Sequence, residues 1–207
     1  MGEKKQRKPF YKSWSFWAIL IVVGIALGGK GEKDTIASSA NARSDAVAQT
    51  APAQPKDQQE FLQIVAAAQR QARGAENDMQ RGGIKASRDQ QICAAMKSRS
   101  VTGWIGTVKL VDANSDGKGV FTVEISDDVR IKTWNNAFSD MSDKTMFEPG
   151  SAMFNTASNL KKGQRVKVSG SFLKGTQGDC LKEASLSLSG KVQDPDFIFR
   201  FLSIEPM

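Results

Sequence analysis

From Arg99 onwards, apolar and polar side chains alternate, and this period of two constrains the fold more than any other feature of the chain. An alternating run predicts a strand with one buried face. The alternating segments are VTGWIGTVKLV (101–111), VFTVEI (120–125), VRIKTW (129–134), QRVKVSGSF (164–172), ASLSLSG (184–190) and FIFRFLSI (197–204). Six short strands within about 100 residues predict a small β-barrel or sandwich.

One helical segment interrupts the strands. Ser151 precedes AMFNTASNLKK and can cap a helix that Gly163 ends. This segment lies between the third and fourth strands. Three strands, a helix and then two more strands is the order of an OB-fold, a small Greek-key barrel. The sequence therefore predicts a mainly β fold with helices, built on an OB-like barrel over residues 99–207.

Several stretches of this region resemble known families. NLKKGQRVKVSGSF (159–172) is similar to the joint between the helix and strand four of tRNA-anticodon-like OB domains, where Leu, a basic or polar pair and Gly precede a Val-rich strand. Five further motifs resemble a bacterial family of unassigned function that is built on the same barrel. They are WIGTV, SDGKG, IKTWNN, EPGSAMFN and DPDFIFRF. The resemblance covers about residues 101–207 and implies the fold. It implies no catalytic residue, because one fold carries many functions.

A helical period precedes the strands. Asp57 with Glu60 forms a capping box, and Gly82-Gly83 predicts the end of the helix. A shorter helix, capped by Ser87, is predicted to reach about residue 98, which makes 57–98 a helical segment. The apolar face of the first helix can pack on its own domain or on a second copy of the helix. That face comprises Phe61, Ile64, Val65, Ala68, Ala72, Ala75 and Met79.

Residues 14–29, WSFWAILIVVGIALGG, form an uncharged apolar run. At about 1.5 Å per residue the run approaches the roughly 30 Å of a bilayer core, and Trp14 and Trp17 lie where interfacial aromatics are common. The basic tail, residues 1–13, is expected to stay in the cytoplasm. We therefore expect a single-pass anchor over residues 14–30 in a bacterial inner membrane, with the C-terminal domain periplasmic or extracellular. A cleaved signal peptide and a buried helix are the alternatives.

Residues 31–56 are rich in Ala, Ser, Gln, Asn and Pro, which predicts a disordered linker. The net charge of the chain is +7, but the tail holds five basic side chains against Glu3. The remainder is therefore close to neutral and gives no indication of a polyanion-binding surface. The basic side chains of the tail are Lys4, Lys5, Arg7, Lys8 and Lys12.

Cys93 and Cys180 are the two cysteines of the chain. Exported proteins meet oxidising conditions, so an even cysteine count predicts a disulfide. Closing a loop of roughly 90 residues contributes about 4.5 kcal/mol to stability in the chain-entropy model. The alternative is two buried thiols.

The stretch KLVDANSDGKGVFTVEI (109–125) begins like a calcium loop, with Asp112, Asn114 and Asp116 ahead of a glycine. The twelfth position of such a loop needs a bidentate carboxylate, but Val123 stands there and Glu124 comes one residue late. Asp-Gly between alternating segments is typical of a hairpin turn. We expect a turn and no metal, with a weak calcium site as the alternative.

The chain has no histidine, which excludes Ser-His and Cys-His nucleophile pairs. A carboxylate pair could still come from Asp127, Asp128, Asp140 and Asp143. Adjacent residues of a strand face opposite ways, and acidic loop residues are usually solvated. We expect neither an enzyme nor a cofactor.

An OB barrel can bind single-stranded nucleic acid by stacking bases on aromatic side chains in a basic groove. The competing interpretation, which the near-neutral domain favours, is that the aromatics fill the barrel and the basic side chains are solvated. Stacking candidates are Trp104, Phe121, Trp134 and Phe138, and basic candidates are Lys109, Arg130, Lys132, Arg165 and Lys167.

We therefore expect a membrane-anchored module, without catalysis, that binds a protein, peptide or glycan of the cell envelope. The alternatives are a single-stranded nucleic-acid-binding domain and a structural subunit that associates through its Ala-rich helix. The predicted ligand-binding residues are Trp134, Asn135 and Asn136, where amide side chains follow an aromatic residue at a strand end.

Overall fold

The computed structural model describes residues 53–176 and 178–207. The predicted tail (1–13), the predicted anchor (14–30) and the linker up to residue 52 lie outside the described residues. Within the described ranges, no helix has both the length and the apolar character needed to span a bilayer.

Five strands form a closed barrel, as the alternating pattern predicts. Their order around the barrel is β1-β2-β3-β5-β4. All neighbours are antiparallel except β3 and β5, which pair in parallel. This mixed five-stranded barrel with helices is compatible with the expected OB-like barrel. The strands are β1 (Ser100–Ala113), β2 (Gly119–Ser126), β3 (Val129–Lys132), β4 (Arg165–Phe172) and β5 (Asp196–Pro206).

Aromatic and branched side chains from the inward positions fill the barrel. Trp104 and Phe121 are completely buried, with 0% of their surface exposed. Phe121 packs edge-on against Phe201 with ring centroids 5.2 Å apart, and Phe147 lies 5.9 Å from Phe121. Such tilted contacts are the preferred geometry of aromatic pairs. Two of the four predicted stacking residues are therefore part of the core.

Two helices precede the barrel, α1 (Lys56–Arg73) and α2 (Asp78–Ala95). The predicted stop at Gly82-Gly83 is wrong, because both glycines lie inside α2. The first helix ends earlier, at Arg73. Asn77 then caps α2 by accepting a hydrogen bond from the backbone N–H of Gln80 at 3.0 Å. The predicted helix start at Ser87 is also wrong, since Ser87 lies in the middle of α2.

The apolar face of α1 packs on its own domain. Phe61 lies 5.3 Å from Trp104 and 5.3 Å from Phe197, ring centroid to ring centroid. Ala68 and Ala72 are buried further along the helix. The predicted capping box does not form: Asp57 instead accepts a hydrogen bond from Trp104 Nε1 at 2.9 Å.

The side chain of Gln58 connects α1 to the barrel backbone. Its Nε2 donates to the carbonyl of Ile105 at 2.6 Å, and its Oε1 accepts from the Ile105 N–H at 2.8 Å. A buried amide group needs partners of this kind, because an unpaired one costs about 1–3 kcal/mol. Gln58 thus fixes the position of α1 against β1.

Three short helices complete the domain: α3 (Ala137–Asp140), α4 (Ala152–Ser158) and α5 (Leu188–Gln193). The cap predicted at Ser151 is confirmed, since its hydroxyl accepts from the Phe154 N–H at 3.1 Å. The strand predicted over residues 184–190 is wrong. The barrel already closes through β3, β5 and β4, and α5 begins within this stretch, capped by Ser187.

Cys93 and Cys180 form a disulfide, as predicted, with their Cα atoms 5.6 Å apart. Cys93 is exposed near the end of α2, and Cys180 is buried in the connection between β4 and α5. The bond therefore joins the helical layer to the long connection that leads into β5.

Candidate functional site

The connection from β3 to α4 carries the three residues predicted to bind a ligand. We call residues 133–146 the rim. Trp134 is half-buried, whereas Asn135 and Asn136 are exposed. Asn136 caps α3 by accepting a hydrogen bond from the Ser139 N–H at 2.9 Å, and its amide nitrogen donates to Asn135 Oδ1 at 3.1 Å. The structure brings the three residues together, and Asn136 has a local role in starting α3.

A buried carboxylate organises the rim from within. Asp140 accepts hydrogen bonds from the N–H and the hydroxyl of Thr145, both at 2.6 Å, and from the Met146 N–H at 3.2 Å. Hydrogen bonds to an ionised acceptor are about twice as strong as neutral ones. The loop between α3 and Met146 is thereby closed around one side chain.

A second carboxylate fixes the tryptophan. Asp143 accepts a hydrogen bond from Trp134 Nε1 at 2.7 Å and pairs with Lys182 Nζ at 2.7 Å. The backbone N–H of Trp134 donates to Thr145 Oγ1 at 2.8 Å. Arg200 of β5 donates to the backbone carbonyl of Asp143. The rim is thus attached to β5 and to the connection that precedes it.

Two large apolar side chains project from this braced loop. Phe138 is 84% exposed and Met141 is 70% exposed, and they lie three residues apart on one helical turn. Leu202, two residues beyond Arg200 on β5, is 68% exposed. Large apolar groups held in water by a fixed backbone are typical of contact surfaces, because the cost of ordering them is already met before binding.

Of the five basic side chains considered for nucleic-acid binding, Lys109, Arg130 and Lys132 are paired with acidic ones, whereas Arg165 and Lys167 form no salt bridge among the described residues. Lys109 binds Glu124 at 2.8 Å, and Arg130 binds Asp194 at 2.7 Å. Burial on its own lowers the pKa of Arg130, but the hydrogen bond and charge of Asp196 raise its pKa overall. Three of the five candidate cations are thus already neutralised, which weakens the expectation of a phosphate-binding groove.

The acidic stretch at residues 112–118 is the hairpin turn predicted from sequence. Asp112 pairs with Val120, and Ala113 with Gly119, in the register of β1 and β2. Asn114 Oδ1 accepts hydrogen bonds from the N–H groups of Asp116 and Lys118, at 3.1 and 2.9 Å. The asparagine oxygen is therefore used inside the turn. No group of three metal-ligating side chains assembles in the parts of the chain that the structure describes.

The carboxylates considered for catalysis separate into two sets. Asp127 and Asp128 are exposed in the turn between β2 and β3, and Asp128 has a positive φ of 57°. Asp140 and Asp143 are engaged in the rim by the hydrogen bonds described above. Their geometry is that of structural side chains.

Sequence reasoning missed a buried ionic cluster beneath α2. Lys85 Nζ lies 2.6 Å from both Asp89 and Asp179, and Lys191 lies 3.3 Å from Asp179. The Arg88 guanidinium, whose side chain is fully buried, pairs with Asp89 and Glu183. The signal was present in the helical spacing of Lys85, Asp89 and Ile92, which places charges in an apolar stripe.

Burial and pairing shift the pKa values of this cluster. Burial raises the pKa of Glu183 above its usual value, against the opposing charge of Arg88. Its Oε2 is buried without a hydrogen-bond partner. Burial on its own would also raise the pKa of Asp179, but the hydrogen bonds and charges of Lys85 and Lys191 lower its pKa overall. Pairing therefore outweighs burial in the pKa of Asp179, whereas burial outweighs pairing in the pKa of Glu183.

Comparisons with known proteins do not assign a family. No family model matches the chain, and no curated protein matches its sequence. The rim and its supports are therefore the features of the domain from which a function can be inferred.

Proposed function

We propose that this protein is a membrane-anchored, exported binding module, built on an OB-like Greek-key barrel, that docks a protein or peptide of the cell envelope on the rim. The observation that carries the proposal is the exposure of Phe138 and Met141 on a loop braced by Asp140 and Asp143. The relationship to a bacterial family with a tRNA-anticodon-like OB domain remains a proposal from the sequence motifs; the strand order is compatible with an OB-like barrel.

The location of the domain outside the cytoplasm is part of the proposal. A bacterial inner-membrane anchor over residues 14–30 and a linker over residues 31–56 are predicted from sequence alone. The bond between Cys93 and Cys180 supports export, because structural disulfides persist in oxidising compartments. The domain is then tethered on the periplasmic or extracellular side.

The chemistry of the rim favours a protein or peptide over a glycan. Phe138 and Met141 offer apolar surface, and aromatic and methionine side chains are enriched at protein interfaces. Asn136, the polar group beside them, already uses its amide oxygen to cap α3. Trp134 already donates its indole N–H to Asp143. A glycan would need such polar groups free.

The size of the exposed pair indicates weak or transient binding. Burying each of Phe138 and Met141 contributes about 1.5–3 kcal/mol. A micromolar complex needs about 8 kcal/mol after the cost of association, so the pair alone does not reach it. Leu202 on β5, close to the Arg200 contact with the rim, is the natural extension of the surface.

The alternatives receive less support from the described residues. Nucleic acid would need aromatics in a basic groove, but Trp104 and Phe121 are buried and Lys109, Arg130 and Lys132 are paired. Association through the Ala-rich helix would need an exposed apolar stripe. Phe61, Val65, Ala68 and Ala72 are instead buried within the domain, and Met79 is the exposed member at 90%.

Photo-crosslinking in intact cells tests the proposal. A photoreactive residue in place of Phe138 or Met141 of the full chain should give discrete protein adducts. The matched controls are Met79 and Leu186, which are also exposed apolar residues but lie outside residues 133–146. Adducts at the controls with the same pattern, or none at the rim, would contradict the proposal. Adducts removed by a glycosidase and not by a protease would indicate a glycan instead.

A further inference from the structure

We propose that residues 179–183, which we call the strap, position the rim, and that reduction of the disulfide between Cys93 and Cys180 by a dithiol loosens Trp134. The inference concerns regulation of the binding rim and to that extent rests on the proposed function.

One face of the strap is attached to α2. Asp179 pairs with Lys85 at 2.6 Å, and Glu183 pairs with Arg88. Between them, Cys180 is bonded covalently to Cys93 of α2. Three successive attachments within five residues fix this segment to the helical layer.

The other attachments of the strap reach the barrel and the rim. The Lys182 N–H donates to Leu173 O at 2.9 Å, and the Ile198 N–H donates to Lys182 O at 2.8 Å. The Lys182 ammonium then contacts both carboxylate oxygens of Asp143, at 2.7 and 2.8 Å. Asp143 holds the indole N–H of Trp134. A continuous set of contacts therefore runs from Cys93 through the strap to Trp134.

The disulfide is the attachment of the strap that a reducing agent in solution can break. Cys93 is exposed and Cys180 is buried. A thiolate of the dithiol attacks Sγ of Cys93 and displaces Cys180 as a thiolate, which takes up a proton. The second thiol of the reagent then displaces Cys93, so the protein gains two protons and two electrons as two thiols. The reagent leaves as a disulfide.

Without the bond, only noncovalent contacts hold the strap on α2. Of these, the contact of Glu183 is incomplete, because its Oε2 is buried with no hydrogen-bond partner. Local opening then no longer requires α2 to move with the strap. During such openings Lys182 separates from Asp143. Asp143 is then no longer held in place to accept the hydrogen bond from the Trp134 indole N–H. Local openings of this kind are detected by hydrogen exchange.

Exchange of the indole N–H protons measures this coupling in the full chain, purified in mild detergent. The chain has four tryptophans, whose indole signals are assigned by single substitutions to Phe. After reduction with a dithiol, the Trp134 indole should exchange at least about tenfold faster. The Trp104 indole, held by Asp57 on α1, is the internal control and should change less than about threefold.

Two results would overturn the proposal. Equal acceleration of Trp104 and Trp134 would mean that reduction destabilises the whole domain, and unchanged exchange of Trp134 would mean that the strap does not depend on the bond. Neither result bears on whether the rim binds a protein, because no partner is present in the measurement. Crosslinking at Phe138 tests that claim separately.

A substitution keeps the test informative even if the reduced chain unfolds. Lys182→Met leaves the disulfide intact and removes the contact with Asp143, so Trp134 exchange should accelerate by a similar factor. Lys174→Met is the matched control, because Lys174 is an exposed lysine of the same connection. Equal rates in the two variants would contradict the positioning role of Lys182.

Discussion

Gly170 lies where β4 and β5 approach each other too closely for a side chain. A Cβ at this position would overlap the carbonyl oxygen of Arg200 and lie 2.6 Å from Cε1 of Phe199. Gly83 in α2 is the opposite case, because a Cβ there meets nothing within 4 Å. Glycine is therefore required by close packing at Gly170, whereas at Gly83 a side chain would fit and only the helix propensity of glycine matters.

Gly170→Ala should lower the free energy of unfolding by about 1–3 kcal/mol, because the added methyl group forces β4 and β5 apart. Gly83→Ala should raise the free energy of unfolding by up to about 1 kcal/mol, since alanine favours the helix more than glycine does. Chemical denaturation of the full chain measures both. A neutral Gly170→Ala would contradict the close approach of the two strands.

The residues of the rim could be predicted only in part. Trp134, Asn135 and Asn136 follow a predicted strand, and position alone selected them. The supports of the rim are long-range: Lys182 reaches Asp143 across 39 residues of sequence. No periodicity links such positions, so Asp143 and Lys182 could not be paired before the barrel was known.

At the scale of elements, periodic patterns were predicted better than boundaries. Of the predicted apolar stripe, Phe61, Val65, Ala68 and Ala72 are buried on α1, because a face of that width must pack on something. Ala75 and Met79 do not belong to this face, since α1 ends at Arg73 and Met79 is exposed on α2. The glycine pair at residues 82–83 was predicted to end the helix but lies inside α2. Each glycine costs about 1 kcal/mol in a helix, and the contacts of Lys85, Arg88 and Ile92 outweigh that cost.

The strand predicted over residues 184–190 failed for a different reason. A strand needs a partner, and both neighbours of β5 in the closed barrel are already β3 and β4. The alternating leucines therefore separate, with Leu186 exposed and Leu188 partly buried beside Ala68 and Ala72. Alternating apolar and polar residues indicate a segment with one apolar and one polar face. They do not show whether the sheet has an unpaired edge strand for that segment to join.

The ionic attachment of the strap gives stability a defined pH dependence. The pKa of Asp179 in the folded chain lies below its usual 3.8. A lowered pKa contributes stability that is present above the unfolded value and is lost as the pH falls through the folded value. Asp179→Asn should therefore flatten the decrease in thermal stability between about pH 5 and about pH 3.

The control for this measurement is Asp127→Asn, at an exposed carboxylate in the turn between β2 and β3. That variant should keep the pH dependence of the unchanged protein. If Asp179→Asn and the unchanged protein lose stability in parallel over the same range, the pairing of Asp179 with Lys85 and Lys191 contributes nothing to folding.

In the whole molecule, the disulfide cross-links the helical layer to the connection that leads into β5, and the rim extends from the barrel. We predict that this rim is the surface covered by a partner in the envelope. The alternatives predict other surfaces: the basic outer face around Lys109 and Arg130 for nucleic acid, and α1 for association of copies. Each surface is a distinct stretch of sequence, so one experiment distinguishes them.

Hydrogen–deuterium exchange of the full chain, compared between native membranes and purified protein, shows whether a partner covers the rim in the envelope. We predict slower backbone exchange over residues 134–146 in the membranes, because a bound partner excludes water from the rim. The hairpin turn at residues 112–118 should exchange equally in both samples. Unchanged exchange over residues 134–146, or protection confined to α1 or to the outer face of β1 and β3, would contradict the account.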